Sequence, residues 1–160
     1  MQNNPLWTYT LEVYGKVGVE LILLQLQDDF GADINMLLCC YWMAAASREM
    51  TNEDLAGLIK ASAKWRAQCI MPLRAVRRFL KSQQGVESIR ERVKTLEVDT
   101  EQWQQAQMYR QLSSGNMRSS QQQVDALALQ NLRRYGAHLP GVEWEDIAGL
   151  MSELVAVLTV

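Results

Sequence analysis

Apolar residues recur every three or four positions along most of the chain, which is the period of an amphipathic helix. Residues 34–46 form the longest strongly apolar run, and it is apolar on every side. Such a helix is stable only when other elements surround it, so we expect a central helix over about residues 34–49. Alternating strand patterns are rare. The pattern therefore predicts an all-α fold.

Capping residues and further periodic segments predict the other helices. Gly31 is a suitable stop for the helix before it, Asp33 is a good N-cap for the central helix, and Thr51 with Asp54 resembles a capping box. The segment after Val86 predicts either one long helix or two that meet near residues 98–100. The remaining predicted helices cover about residues 6–14, 17–29, 51–71, 72–84, 122–135 and 143–158.

Together these segments predict a single all-helical domain, a bundle of six to eight helices over residues 1–160. A chain of 160 residues favours one domain over two and can bury an ordinary core. Residues 113–123 are rich in Ser, Gly and Gln, so we expect a mobile linker there. The five tryptophans fall on apolar stripes and are expected in the core: Trp7, Trp42, Trp65, Trp103 and Trp144.

Charge is concentrated in one part of the chain. Residues 55–86 contain seven basic and no acidic residues, although the whole chain has a net charge of −2. Four cations share an arc of about 100° on the helix after Pro72: Arg74, Arg77, Arg78 and Lys81. The neighbouring arc is apolar and is predicted to be the buried side: Leu73, Val76, Phe79 and Leu80. We therefore expect an exposed cationic face, the most positive patch on the molecule.

This basic face has two interpretations. Acidic residues of the flanking helices could pair with it internally, and the candidates are Asp28, Asp29, Asp33, Glu87, Glu91 and Glu97. Alternatively it serves an external acidic partner, since Arg suits bidentate contacts with carboxylate or phosphate. The second interpretation predicts a non-enzymatic regulatory or adaptor protein with an acidic protein partner. Binding of nucleic acid, nucleotide or phosphate is the alternative.

Arg66 is a fifth candidate for binding a partner or anion. It lies on the same helical arc as Leu55, Ile59 and Ser62, on the side predicted to be buried. Either its aliphatic stem covers apolar surface while the guanidinium reaches water, or the charge binds a buried acid.

Signals for catalysis and metal binding are weak. Asp28, Asp29 and Asp33 could hold Mg²⁺ in a small helical enzyme, but no second acidic motif faces them. The only histidine, His138, lacks a nucleophile motif and suits a helix C-terminus. Adjacent Cys39 and Cys40 project about 100° apart, so they suit a metal poorly. We therefore predict no catalytic residue, metal or cofactor.

The expected compartment is the cytoplasm. Three cysteines, an odd number, do not suggest a disulfide framework. The start of the chain shows no signal peptide, and the longest apolar run is shorter than the roughly 20 residues of a membrane span.

Several sequence patterns resemble those of a known family. They are Leu-Trp near the start, YGKVGV at residues 14–19, LQDDFGADIN at 26–35, Leu-Leu followed by Trp42, and above all WR-x5-PLR-x2-RR-x-LK at 65–81. Together they resemble an uncharacterised, all-helical proteobacterial family of conserved hypothetical proteins, over about residues 6–112. The resemblance implies a small bacterial cytoplasmic protein and carries over no activity or cofactor.

Overall fold

The computed structural model describes residues 4–115 and 118–160. This part of the chain is an all-α bundle, as the sequence predicts, and it also contains one antiparallel pair of two-residue strands, which the sequence analysis does not predict. The helices are α1 (Pro5–Tyr14), α2 (Val19–Phe30), α3 (Ile34–Ala45), α4 (Asn52–Trp65), α5 (Met71–Lys81), α6 (Glu87–Ser114), α7 (Val124–Gly136) and α8 (Trp144–Thr159). The strands are β1 (Arg48–Glu49) and β2 (Arg118–Ser119).

Helix α3 lies at the centre of the bundle, which confirms the predicted central helix. It packs against α1, α2, α6 and α7, and most of its side chains are buried, including Leu37, Leu38 and the two thiols of Cys39 and Cys40. Burial of this continuous apolar surface supplies the main driving force for folding.

The central helix ends four residues earlier than predicted. Ser47 has a positive φ of 58°, which stops the helix after Ala45 and turns the chain into β1. Arg48 and Glu49 then pair antiparallel with Ser119 and Arg118.

Part of the predicted linker is therefore in regular structure. Ser113 and Ser114 end α6, and Arg118–Ser119 form β2. Asn116 and Met117, in the middle of this segment, lie outside the described residues.

The predicted caps begin and end the helices around α3. The Asp33 carboxylate accepts a hydrogen bond from the Asn35 backbone N–H at 2.9 Å. Thr51 and Asp54 form the expected reciprocal capping box. Gly31 ends α2 with a φ of 74°, a left-handed conformation that glycine adopts without strain.

Helices α4 and α5 are continuous in the structure, without the predicted division into one helix over 51–71 and another over 72–84. A π-helical turn, Arg66–Ile70, joins them, and the Met71 N–H donates to the Arg66 carbonyl five residues before. Pro72 lacks an N–H and its ring crowds the carbonyl four residues earlier. The wider π turn accommodates the proline without breaking the helix.

Helix α6 runs uninterrupted for 28 residues, without the alternative break near 98–100, and its inward side is polar. Gln104 accepts from the Asn35 side chain and donates to Asp33, both at 2.8 Å. Gln105 donates to Asn35 and Thr10, both at 2.9 Å. These buried groups satisfy one another, which avoids the cost of about 1–3 kcal/mol for each unpaired group.

Replacing Leu38 by Ala should lower the free energy of unfolding by about 2–5 kcal/mol, because this fully buried side chain would leave a cavity. Urea unfolding followed by circular dichroism measures the change. Leu21→Ala on α2 is the matched control, since Leu21 is 76% exposed and its loss should cost less than about 0.5 kcal/mol. Equal losses in the two variants would contradict the placement of α3 at the centre.

Candidate functional site

The cationic side of α5 is only partly exposed, and the prediction of an exposed basic face is wrong for Arg74, the residue that faces the interior. Arg74, at its centre, is only 7% exposed. Its guanidinium donates to Glu97 and to Glu101, each at 3.1 Å. A buried arginine requires such partners, because an unpaired charge in the interior is too costly.

The other three cations of α5 become more exposed toward the end of the helix, and two of them form ion pairs. Arg77 is half-buried and also pairs with Glu97. Arg78 is exposed and pairs with Asp28 on α2 at 2.7 Å. Lys81 is exposed and forms no ion pair with any residue in 4–115 or 118–160. Asp28 and Glu97 are among the internal partners predicted from the sequence, whereas Glu101, one turn after Glu97 on the same helix, is not.

The two glutamates differ in their titration. Burial alone would raise the pKa of Glu97, but hydrogen bonds from Arg77 and Arg74 outweigh it and lower that pKa below its ordinary value. Burial raises the pKa of Glu101, and Glu97 raises it further, whereas Arg74 opposes both. Glu97 is therefore the principal counter-ion of the two arginines.

This ion-pair cluster lines a cleft of about 370 Å³ between α1, α2, α5 and α6. Trp7 and Tyr14 of α1 form its other wall. Arg74 and Arg77 pair with both carboxylates and so hold α5 against α6, while Arg78 pairs with Asp28 of α2. The arginines of this cluster therefore stabilise the packing of α5 and are poorly suited to bind a further acidic group.

The apolar side of α5 is correspondingly exposed, which corrects a second prediction. Val76 and Phe79, expected in the core, are 45% and 64% exposed. Leu73 and Leu80 are half-buried. Helix α5 is amphipathic as predicted, but the reverse side faces the core: Arg74 on the cationic side is buried, whereas Val76 and Phe79 on the apolar side are exposed.

Helix α6 carries an exposed apolar stripe of its own. Ile89, Leu96 and Trp103 are each between 42% and 53% exposed and recur every seventh residue. Helices α5 and α6 pack against each other, joined by a short turn at residues 82–86. We call Val76, Phe79, Ile89, Leu96 and Trp103 the outer face of this helical hairpin.

Among the tryptophans, Trp103 departs most clearly from the predicted core position. It is 42% exposed, and its ring lies 4.1 Å from that of Trp65. Trp65 in turn donates its indole N–H to the Thr100 carbonyl at 2.9 Å. The pair secures the end of α4 against α6. Trp7, Trp42 and Trp144 are half-buried.

Arg66 begins the π turn and lies apart from the other cations. Its Nε is 3.7 Å from the Asp33 carboxylate, and Nη2 donates to the Ala32 carbonyl at 3.5 Å. The structure thus places Arg66 beside an acid, which agrees with the interpretation that its charge binds a buried acid. The separation of 3.7 Å is longer than a strong charged hydrogen bond.

The three aspartates considered for Mg²⁺ have separate surroundings. Asp28 pairs with Arg78, Asp29 is exposed, and Asp33 caps α3. Within the two described ranges, no three His, Cys, Asp or Glu side chains are grouped closely enough to hold a metal ion. His138 follows the end of α7, as expected.

Replacing Glu97 by Gln should reduce the free energy of unfolding at pH 7 by about 3–5 kcal/mol, because two arginines would lose a buried counter-ion. Because the pKa of Glu97 is lower in the folded protein than its value of about 4.5 in the unfolded chain, Glu97 stabilises the fold at pH values above 4.5. This stabilisation is lost as the pH falls through the lower pKa of the folded state. The difference between wild type and variant should therefore shrink in acid. Urea unfolding at a series of pH values measures both effects.

Arg78→Gln is the control for an exposed ion pair and should cost at most about 1 kcal/mol. A Glu97→Gln variant as stable as the Arg78→Gln variant would contradict the buried ion-pair cluster.

The family of the chain follows from its sequence. None of the helices within residues 4–115 and 118–160 is long and apolar enough to cross a membrane. No curated protein and no solved structure matches the chain significantly. A family model described as a protein of unknown function, DUF2390, matches residues 5–108, which include α1 to α5 and most of α6. The chain therefore belongs to the DUF2390 family.

Proposed function

We propose that this protein is a non-enzymatic adaptor or regulatory protein that binds an acidic partner. The partner docks on the outer face of the α5–α6 hairpin and not on the row Arg74–Arg78, whose charges are paired internally. The observation that carries the proposal is the exposure of Val76 and Phe79 on one helix and of Leu96 on the next.

The spacing of the exposed apolar residues favours a helical partner. Ile89, Leu96 and Trp103 are seven residues apart, which is the repeat of a coiled-coil seam. Such a seam is stable when a further helix covers it. An amphipathic helix laid along a hydrophobic groove is a common mode of peptide recognition.

The charge around the outer face favours an acidic partner. Residues 71–96 contain seven basic residues and only Glu87 and Glu91 as acids. Lys81 and Arg92 are exposed, and neither forms an ion pair with the described part of the chain. Opposite charges at the edge of an apolar contact accelerate association and select the partner.

Nucleic acid or phosphate is a weaker candidate for this surface. A phosphate backbone needs a row of available cations, and here Arg74, Arg77 and Arg78 already pair with carboxylates. Exposed aliphatic side chains such as Leu96 gain nothing from phosphates. An acidic protein segment satisfies both the apolar stripe and the remaining cations.

The free thiols of Cys39, Cys40 and Cys69 suit a reducing compartment. We infer from this that the adaptor acts in the cytoplasm, and the resemblance of its sequence patterns implies that the cell is bacterial.

Photo-crosslinking tests the proposal in the source cells. A benzophenone amino acid at Phe79 or at Leu96 should yield the same adduct, and its crosslinked peptide should be acidic and amphipathic. The same probe at Leu21, which is 76% exposed on α2, should not yield that adduct. Mass spectrometry of the crosslinked peptide is the measurement.

Charge reversal supplies the second arm of this test. Lys81→Glu together with Arg92→Glu should reduce the adduct by at least about tenfold while changing stability by at most about 1 kcal/mol per residue. Reversal of two acids elsewhere, Glu145→Lys with Glu153→Lys on α8, should leave it unchanged. A nucleic-acid adduct, an adduct only with a second copy of the chain, or an equal yield at Leu21 would each overturn the proposal.

A further inference from the structure

A second cavity, separate from the outer face, lies between α3, α4, the π turn and α7. Its volume is about 330 Å³, at the small end of the range for ligand pockets of about 300–1,000 Å³. Met36, Ile59 and Leu139 form apolar walls, and Met71 lies at its more exposed side. Its polar groups are few and come from Asp33, Ser62, Arg66, Tyr135 and His138.

Arg66 has unused hydrogen-bonding capacity in this cavity. A guanidinium has five N–H donors, yet its two contacts in the described structure are at 3.5 Å to Ala32 and 3.7 Å to Asp33. Asp33, for its part, accepts from the Asn35 backbone at 2.9 Å and from Gln104 at 2.8 Å. The carboxylate is thus held by other groups, and Arg66 is left weakly bonded.

Tyr135 supplies a second available donor. Its side chain is buried, and its hydroxyl oxygen accepts from the Asp33 backbone N–H at 2.8 Å. The hydroxyl hydrogen has no acceptor within residues 4–115 and 118–160. Burial is the main cause that raises the pKa of Tyr135, and the negative charge of Asp33 raises it further. The hydroxyl therefore remains protonated and able to donate a hydrogen bond.

The π turn is an independent sign that this region is used for more than packing. π turns are rare, and they occur frequently at functional sites. This one begins at Arg66 itself and changes the direction of the side chains that follow.

We propose that the cavity binds a small organic monocarboxylate with an apolar body, whose carboxylate is held by Arg66 and Tyr135. The planar guanidinium matches a carboxylate in bidentate geometry. The Asp33 carboxylate offsets part of the positive charge of Arg66, so the cavity suits an anion of one negative charge better than a phosphate dianion. The apolar walls cover the rest of the ligand. This inference rests on the cavity alone and is independent of the outer face of the hairpin.

Titration of the full chain, carrying ¹³C-methyl methionine, with phenylacetate and hexanoate tests the inference. The methyl resonances of Met36 and Met71 should shift, because both side chains line the cavity. Phenylacetamide and hexanamide have the same shape without the charge and should bind at least about tenfold more weakly.

Variants separate the two donors. Arg66→Gln should weaken carboxylate binding by at least about tenfold and Tyr135→Phe by about threefold to tenfold. Arg92→Gln, an exposed cation outside the cavity, should bind as wild type does. If Arg66→Gln fails to fold, Tyr135→Phe and the acid–amide comparison still decide the question.

Three results would overturn the proposal. They are equal affinity for acid and amide, carboxylate binding that leaves the Met36 resonance unchanged, and no shift with either acid up to about 10 mM. None of them bears on crosslinking at Phe79, so the two proposals fail separately.

Discussion

The missing N–H of Pro72 is the constraint from which the unusual half of this structure follows. In a regular α-helix that N–H would bond four residues back, and the proline ring would clash there. The chain instead forms the i to i+5 bond from Met71 to Arg66. A π turn inserts one extra residue and so offsets the following side chains by roughly 100°. Arg74 thereby takes the inward direction that a regular helix would give to Leu73.

The interior can accept Arg74 because α6 presents a polar side to it. Gln104 is hydrogen-bonded to Asp33 and Asn35, and Gln105 is hydrogen-bonded to Asn35 and Thr10. These buried hydrogen bonds fix the rotation of α6 about its axis. Glu101 and Glu97 lie one and two turns earlier, respectively, on the same side of that helix. The glutamates consequently point at α5, and the buried ion pairs of one helix depend on the buried amides of another.

Sequence periodicity was sufficient for the parts of the fold where apolar side chains decide the packing. The apolar run in α3, the Asp33 cap and the Thr51–Asp54 capping box require only local information. The orientation of α5 could not be predicted this way, because it depends on a π turn and on acids about 23 residues away in the chain. A sequence signal is present in the spacings, because Glu97 and Glu101 are four residues apart and Arg74 and Arg77 are three apart, and either spacing puts two charges on one face of a helix. The position of Arg66 on an apolar helical arc is visible in the sequence, but its cavity also needs Tyr135 from α7, which no local pattern connects to it.

The reversed polarity of α5 has an energetic consequence for the surface. Full burial of a side chain such as Val76 or Phe79 contributes about 1.5–3 kcal/mol, and the isolated chain forgoes much of this because both are about half exposed or more. The same helix buries a charge, which stabilises a fold weakly compared with an apolar residue of similar size. A stability-optimised monomer would have the opposite arrangement. Single exposed apolar residues are common on monomers. Here they occur on two adjoining helices and recur every seventh residue on one of them, which is the feature of the surface on which the proposed docking of a helix depends.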